Sequence, residues 1–273
     1  MSVIFDICSD LHIDSFYDKK TGGILSANFP KLKNPGSEVL VIAGDSANHY
    51  KKTFELLKRA KDSYAHVVWC DGNHEHYSSK RPVSLGMKHM REFSKRHEGI
   101  TYLDGPGELR LGDTVFTGCN GWYDWEALCP DFTREQQVAQ WEKDSNDKFI
   151  NADIPIGRMA AASARALQAK VRQLDGDGTV GHIVVVTHTA PLRKLLDERP
   201  WDLDWQKLSG SYVNSRMADV LESHSKIRVW VYGHTHGRKM TSRYGVTFVN
   251  NSRGYGYVQG EREWFMVQMD SAG

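Results

Sequence analysis

Side chains able to bind metals or move protons stand at the ends of the apolar runs in this chain. The run "HVVWC" stops at Asp71, Gly72, Asn73, His74, Glu75 and His76, although a strand exit needs only a turn former such as Gly72. The pattern recurs: "VIFDICS" gives way to Asp10 and His12, "EVLVIAG" to Asp45, "HIVVVT" to His188, and "IRVWVYG" to His234 and His236. Strand C-termini in α/β sheets meet along one edge, where sites form. Asp10, His12, Asp45, Asn73, His188, His234 and His236 are therefore expected to converge. Imidazole together with carboxylate suits divalent transition ions, and this set is too large for one tetrahedral ion but fits two that share a carboxylate, assigned to Asp45. Two such ions outweigh two aspartates, leaving a positive pocket suited to phosphate. A metal pair ~3.5 Å apart lowers the pKa of a shared water, orients phosphoryl oxygens and stabilises the charge of an in-line displacement.

Each element alone has a plainer explanation. Asp10 serves equally well to cap a turn, His12 to sit on a surface, and "AGDSAN" to lead a strand into a turn. "GNHE" says more, because three functional groups follow the glycine directly, and "GHTH" says most, because paired imidazoles on one short turn have no packing purpose. Their joint occurrence in this order favours chemistry over packing.

The elements that must position these groups follow from pattern. Apolar runs at 3–9, 38–45, 66–73, 182–188 and 227–232 read as strands, and "ELRLGDTVFTGC" as a hairpin turning at Gly112 and Asp113. The segment between the second and third runs places Phe54, Leu57 and Ala60 at helical spacing with lysines elsewhere, an amphipathic helix whose charged face is solvated. Further helices are expected over 83–97, 133–149, 157–174 and 213–222, and strands over 246–250, 255–258 and 264–269. Strands in two groups with helices outside them predict a layered α/β fold: one domain over 1–273, with a helical and aromatic cap inserted around 120–178.

Composition narrows the class. Lys plus Arg total 35 and Asp plus Glu 34, a formal charge of +1, so no bulk field points to nucleic acid or an acidic membrane. The opening "MSVIFDICSD" has no basic n-region, and no apolar run approaches a membrane span, so a cytoplasmic protein is expected. Cys8, Cys70, Cys119 and Cys129 form no Cys-x-x-Cys pair and read as reduced thiols.

The blocks "SDLH", "GDSAN", "GNHE", "VTHTAP" and "GHTH" resemble, in order, those of the calcineurin-like metallophosphoesterases. The resemblance implies two facing sheets flanked by helices. It implies one divalent ion held by Asp10, His12, Asp45 and His236, and a second held by Asp45, Asn73, His188 and His234. The ions would be manganese, iron, zinc or nickel, with manganese favoured. It also implies that His74 faces the leaving group as general acid or electrostatic partner of the phosphate, while His49 and His76 match no ligand position. One departure stands out: the second block often ends in an aspartate that pairs with this histidine, and here the residue is Asn48. An amide orients an imidazole without favouring its charged form.

The protein phosphatase branch carries arginines beside the second and third blocks; Ser46 to His49 and Asp71 stand there instead. "FVNNSRGYGYVQGE" resembles a tail of bacterial and phage members with Asn-Pro-Arg-Gly-Tyr, Ser252 replacing the proline. Asn48, Arg253 and Trp122 are the candidate substrate contacts. Arg253 either reaches a phosphate or sits in an exposed turn. Trp122, Tyr123, Trp125, Trp201 and Trp205 either wall the cleft, where they would stack a nucleobase, or pack as a cap on the core. The expected activity is phosphodiester hydrolysis of a nucleotide-like or small organic substrate by in-line attack of metal-activated hydroxide. The alternatives are a phosphomonoesterase such as a nucleotidase, and an inactive metal-binding scaffold.

Overall fold

The computed structural model describes residues 2–16, 34–77, 80–127, 129–196, 202–222, 224–255 and 266–273. Two mixed sheets face each other with helices on their outer sides. The first is built from β1 (Ile4–Cys8), β2 (Val39–Ala43), β3 (His66–Cys70) and β4 (Ile100–Tyr102), all parallel. The second contains β5 (Glu108–Leu111), β6 (Thr114–Cys119), β7 (His182–Thr187), β8 (Ile227–Tyr232), β9 (Arg238–Arg243) and β10 (Val246–Asn251), in the order β5-β6-β7-β8-β10-β9. Strands β6, β7, β8 and β10 run parallel, while β5 and β9 are antiparallel edges. Strand β11 (Val267–Asp270) pairs antiparallel with β1 and makes the first sheet mixed.

The unbroken apolar runs are explained by burial on both faces. In β2, Val39, Val41 and Ala43 point into the layer between the sheets, with Phe5, Ile7 and Val68 from the first sheet and Phe116, Val184, Val186, Val229 and Val231 from the second. Leu40 and Ile42 point the other way, against Leu56, Leu57 and Ala60 of α1 (Tyr50–Lys61) and Met90 and Phe93 of α2 (Val83–Arg96). The outer face of the second sheet packs Val115, Ile183, Val185 and Trp230 against other helices in the same way. Each fully buried aliphatic side chain contributes ~1.5–3 kcal/mol relative to exposure. Continuous two-sided burial thus makes a rigid frame whose strands end in register.

The hairpin forms where expected, with β5 and β6 paired antiparallel about Gly112, whose φ is 60°. The helix expected over 133–149 is two pieces. α3 (Arg134–Asp144) starts in a Thr133/Gln136 capping box and stops at Ser145, whose extended backbone begins a 3-10 turn over Asn146–Phe149. The Ser145 hydroxyl caps that turn by accepting from the Asp147 N–H at 3.1 Å. α4 (Ile156–Gly176) lies across the second sheet, burying Ala164, Leu167, Val171 and Leu174 there.

A short helix, α5 (Leu203–Lys207), was not foreseen. The helix expected from residue 213 is shortened to a 3-10 turn over Ser215–Met217 followed by α6 (Ala218–Glu222). Val213 instead bridges Ala190, and the Asn214 amide donates to the Gly121 and Ala160 carbonyls, tying that stretch down as a connector. The polar, exposed edge strand β9 was likewise missed, since an edge needs no apolar alternation. Of the expected strand over 255–258 only Tyr255 is described, outside any strand, and the start of the one over 264–269 lies outside the described residues.

Candidate dinuclear metal centre

The donors converge at the C-terminal ends of β1, β2 and β3 in one sheet and β7 and β8 in the other. Backbone bonds hold the loops together: Asp10 N–H donates to the Gly44 carbonyl (3.0 Å), His12 N–H to the Asp45 carbonyl (3.1 Å) and Gly233 N–H to the His188 carbonyl (2.9 Å). Five of the expected ligands have left-handed backbone: Asp10, His12, Asp45, His234 and His236, at φ values of 51°, 42°, 54°, 68° and 49°. Such conformations cost ~1–3 kcal/mol each and gather at functional sites. Asp and His are among the side chains that tolerate them best. The strain turns each side chain back across the strand end, towards its neighbours instead of out to solvent.

Two glycines make room for this. Gly44, at φ 79°, lies so close to His188 that a Cβ there would meet Nδ1 at 2.4 Å, and a Cβ at Gly72 would meet the Asp45 carboxylate at 2.1 Å. These glycines are needed because the ligands of one loop occupy the space beside the next. Glu75 secures the arrangement from below: its buried carboxylate accepts from the backbone N–H groups of Asp45 (3.1 Å), Ser46 (2.8 Å) and Gly72 (2.7 Å) and from the Thr53 hydroxyl (2.9 Å). Burial, with the nearby Asp45 charge, pushes the Glu75 carboxyl up to about 7, against the pull of the Gly72 N–H.

Two groups of candidate donors emerge, each with its ligand atoms within 4.8 Å of one another: Asp10, His12, Asp45 and His236, and then Asp45, His188 and His234. Asp45 belongs to both. Asn73 joins the second group, its Oδ1 lying 3.0 Å from His188 Nε2. The nitrogens are prepared as lone-pair donors. His188 Nδ1 donates to the Ala43 carbonyl (2.9 Å), leaving Nε2 towards Asp45 and Asn73. His234 Nε2 donates to the Ser211 carbonyl (2.9 Å), leaving Nδ1 facing His188 Nε2 at 3.1 Å. In the first group His12 Nε2 faces His236 Nε2 at 2.9 Å, and the buried Nδ1 of His12 has no hydrogen-bond partner among the described residues.

The electrostatics agree with a cation site. Burial and neighbouring imidazoles hold His12 and His236 below the ordinary histidine range, and burial with the adjacent His188 brings His234 down to about 3. Neutral imidazole keeps the lone pair a metal needs. His188 behaves oppositely: burial disfavours its charge, but the Asp45 carboxylate outweighs burial and raises it to about 10. Asp45 itself, despite burial, is held well below the carboxylate range by His188 and His74. Facing buried nitrogens need a proton or cation between them, and these carboxylates favour positive charge at that point. The donor chemistry fits two divalent ions.

His74 lies beside the donors, 7% exposed. Its Nδ1 is 2.5 Å from Asn48 Oδ1, so the amide orients the ring. Its Nε2 accepts from the Tyr255 hydroxyl at 3.0 Å. The Tyr255 ring also lies 4.2 Å from His12 and 4.8 Å from His236. Sequence reasoning gave Tyr255 no role; its place beside Gly254 in the "SRGY" stretch was the available signal. Ser252, the departure from proline, puts its hydroxyl 2.6 Å from Asp10 Oδ2.

The donors open into a cleft of about 460 Å3 whose described walls include Asp45, Asn73, His74, Tyr77, Asp144, Asp147, Trp205, Tyr212, His234, His236 and Tyr255. All three expected substrate contacts are absent from that lining; Asn48 stands behind His74, bonded to its Nδ1. Trp122 is 2% exposed and packs with Val83, Ile150, Met159 and Ala160, which leaves it no face for a ligand. Arg253 is half-buried near Cys8, its backbone N–H bonded to the Ser9 carbonyl. Tyr123 is buried and Trp125 half-buried, Trp205 stacks on Tyr212 at 4.5 Å in the cleft wall, and Trp201 is outside the described residues. His49 caps α1, accepting from Lys51 N–H, and His76 is buried against Asp71 at 2.7 Å.

Comparison with known proteins adds a family and a fold. The family model of calcineurin-like phosphoesterases matches residues 4–238. The chain superposes on a phosphopantetheinyl hydrolase from Mycobacterium tuberculosis with a TM-score of 0.76 and 20% identity, covering 98% of this chain and 96% of that one. A dimetal phosphatase from Danio rerio gives a TM-score of 0.52 and 12% identity over 98% and 95% of the two chains. A putative 5'-nucleotidase from Staphylococcus aureus gives 0.50 and 14% over 93% of this chain and 49% of that one. At these identities the likeness is one of fold. No curated protein sequence matches the chain.

Proposed function

Starting from the fact that this chain belongs to the calcineurin-like phosphoesterase family, we propose that it is a dinuclear metal phosphodiesterase acting on a nucleotide-like or small organic diester. Asp10, His12, Asp45 and His236 would hold one ion, and Asp45, Asn73, His188 and His234 the other, with manganese favoured over iron, zinc or nickel. Bound there, the ions supply Lewis-acid charge and activate water for in-line displacement at phosphorus.

The chain's own groups do the rest. His74, oriented through Nδ1 by Asn48, presents Nε2 into the cleft beside Asp45, where it can stabilise charge on the phosphoryl group or pass a proton to the departing oxygen. The Tyr255 hydroxyl donates to that nitrogen at 3.0 Å, so Nε2 must first take up a proton before it can give one to the departing oxygen. The buried, ordered loops keep these groups preorganised, which is what electrostatic stabilisation of a transition state requires.

The diester preference rests on the character of the cleft: none of its described lining residues is Lys or Arg, whereas Asp144 and Asp147 are present. A monoester carries ~1.5–2 negative charges at neutral pH and is usually gripped by basic side chains in addition to metals. A diester carries one charge and a second organic group, for which the stacked Trp205 and Tyr212 offer a wall. The likeness in fold to a phosphopantetheinyl hydrolase puts phosphopantetheinyl esters among the substrates to try.

The helical and aromatic segment around 120–178 would act as the cap of a single domain, and the four buried free thiols suit a reducing cytoplasm. Among the described residues no helix is long and apolar enough to cross a membrane. The deciding experiment is hydrolysis of bis-p-nitrophenyl phosphate and p-nitrophenyl phosphate by metal-stripped protein with single ions restored. Metal-dependent preference for the diester is expected. Preference for the monoester would replace this reading with a phosphomonoesterase, and no turnover with any ion would replace it with a scaffold.

A further inference from the structure

Asp147 is an isolated buried carboxylate beside the second donor group. It comes from the 3-10 turn after α3, far from every block singled out in the sequence, and is 4% exposed. Among the described residues no Lys or Arg pairs with it; it is satisfied by neutral donors only. Asp147 Oδ1 accepts from Asn73 Nδ2 at 2.8 Å and from the Tyr77 hydroxyl, and Oδ2 accepts from the Tyr123 hydroxyl at 3.0 Å. Tyr77 also accepts from Asn73 Nδ2 at 3.1 Å, and Tyr123 accepts from Trp141 Nε1 at 3.1 Å. Burying an anion without a basic partner costs several kcal/mol. Positive charge in the adjacent donor group would offset that cost.

The geometry points to Asp147 as the positioning residue of Asn73, an inference that rests on the dinuclear reading above. The two ends of a carboxamide have nearly the same shape, yet only the oxygen can ligate a cation. Asp147 and Tyr77 occupy both hydrogens of Nδ2, which turns Oδ1 towards His188. A flip would bring the Asn73 oxygen against the Asp147 carboxylate and present an NH2 group to the metal. The negative charge behind the amide also draws its dipole so that Oδ1 becomes the stronger donor, the usual effect of an outer carboxylate on a ligand. Through Tyr123 and Trp141 the same hydrogen-bond chain fastens α3 to the site, so the cap contributes to metal affinity besides enclosing the cleft.

The test is Mn2+ binding to metal-stripped, full-length protein by calorimetry, with thermal melting of each metal-free variant as the check on folding. Asp147→Leu, which removes every acceptor, is expected to weaken one of two Mn2+ sites by ~10–100-fold and leave the other in place. Asp147→Asn keeps the shape and is the variant to use if the leucine form does not fold. Asn73→Asp alone sets two carboxylates against each other and should also weaken one site. The exchange Asn73→Asp with Asp147→Asn restores a carboxylate oxygen for the metal and an amide donor behind it. Recovery of Mn2+ affinity in that double variant, beyond either single variant, is the signature of positioning, because a merely structural role would accumulate damage. Wild-type protein that binds two Mn2+ while the Asp147 variants bind them equally well overturns this inference alone. Wild-type protein that binds no Mn2+ overturns the dinuclear reading and the inference with it.

Discussion

The two donor groups share Asp45 but are held in place by different parts of the molecule. The first, with Asp10, His12 and His236, is steadied by the segment after β10: Ser252 bonds the Asp10 carboxylate and Tyr255 lies over His12 and His236. The second, with Asn73, His188 and His234, is steadied by contacts from the 3-10 turn after α3 and from other loops and strands: Asp147 on Asn73, the Ala43 carbonyl on His188 and the Ser211 carbonyl on His234. The strand frame brings the donors together, and two separate buried segments, around Ser252 and around Asp147, then help to fix their orientation. Damage to either segment should therefore affect one ion, whereas damage to the shared carboxylate should affect both.

The sharpest way to break this comparison is Asp45→Asn. Loss of residues that only support a ligand costs ~10–100-fold, so loss of the shared ligand should exceed ~100-fold in metal affinity and abolish turnover. Elemental analysis should find neither ion retained; one ion kept at full occupancy would show that Asp45 does not bridge. His74→Ala comes next. It should cut turnover by ~10²–10⁴-fold while both ions remain, as loss of a proton-transfer group does. Loss of both metals in that variant would move His74 from chemistry to ligation.

Ser252→Ala separates the two groups from the opposite side to Asp147. It should weaken one Mn2+ site by ~10-fold, the lower end for an outer hydrogen bond, and adding it to Asp147→Leu should impair both sites. If Ser252→Ala and Asp147→Leu weaken the same site, the division into two separately supported groups is wrong. Tyr255→Phe is the mildest change. It removes one hydrogen bond, of ~0.5–1.5 kcal/mol, from His74 Nε2 while preserving the ring over His12. Turnover should change by less than ~15-fold with metal content intact; a loss as large as that of His74→Ala would make Tyr255 a participant in proton transfer.

The strand frame was legible because a strand buried on both faces must be apolar throughout, so "EVLVIA" and "HIVVVT" could hardly be anything else. The donors were legible for a related reason: polar groups of metal-binding type immediately after such runs are placed at the sheet edge by chain connectivity alone. Glu75 was visible in "GNHE" but not its task, because its partners are backbone N–H groups of another loop. Asp147 left no trace, sitting in the polar run "EKDSND", where an acid looks like any solvated side chain. Trp122 misled for the opposite reason: an aromatic beside a site reads as a cleft wall, but here the chain turns it inward onto Ile150 and Met159.

By itself, then, the sequence determined the two-sheet frame, the chemistry of the donor set and the edge at which it gathers. These depend on local pattern and on the common direction of parallel strands. Only the tertiary structure decided which nitrogen of each imidazole faces inward, which end of the Asn73 amide does so, and which distant residues enforce it. Those choices are made by hydrogen bonds between segments far apart in the chain, such as Asn73 to Asp147 and Asp10 to Ser252, and no local spacing encodes a partner that folding has yet to bring near.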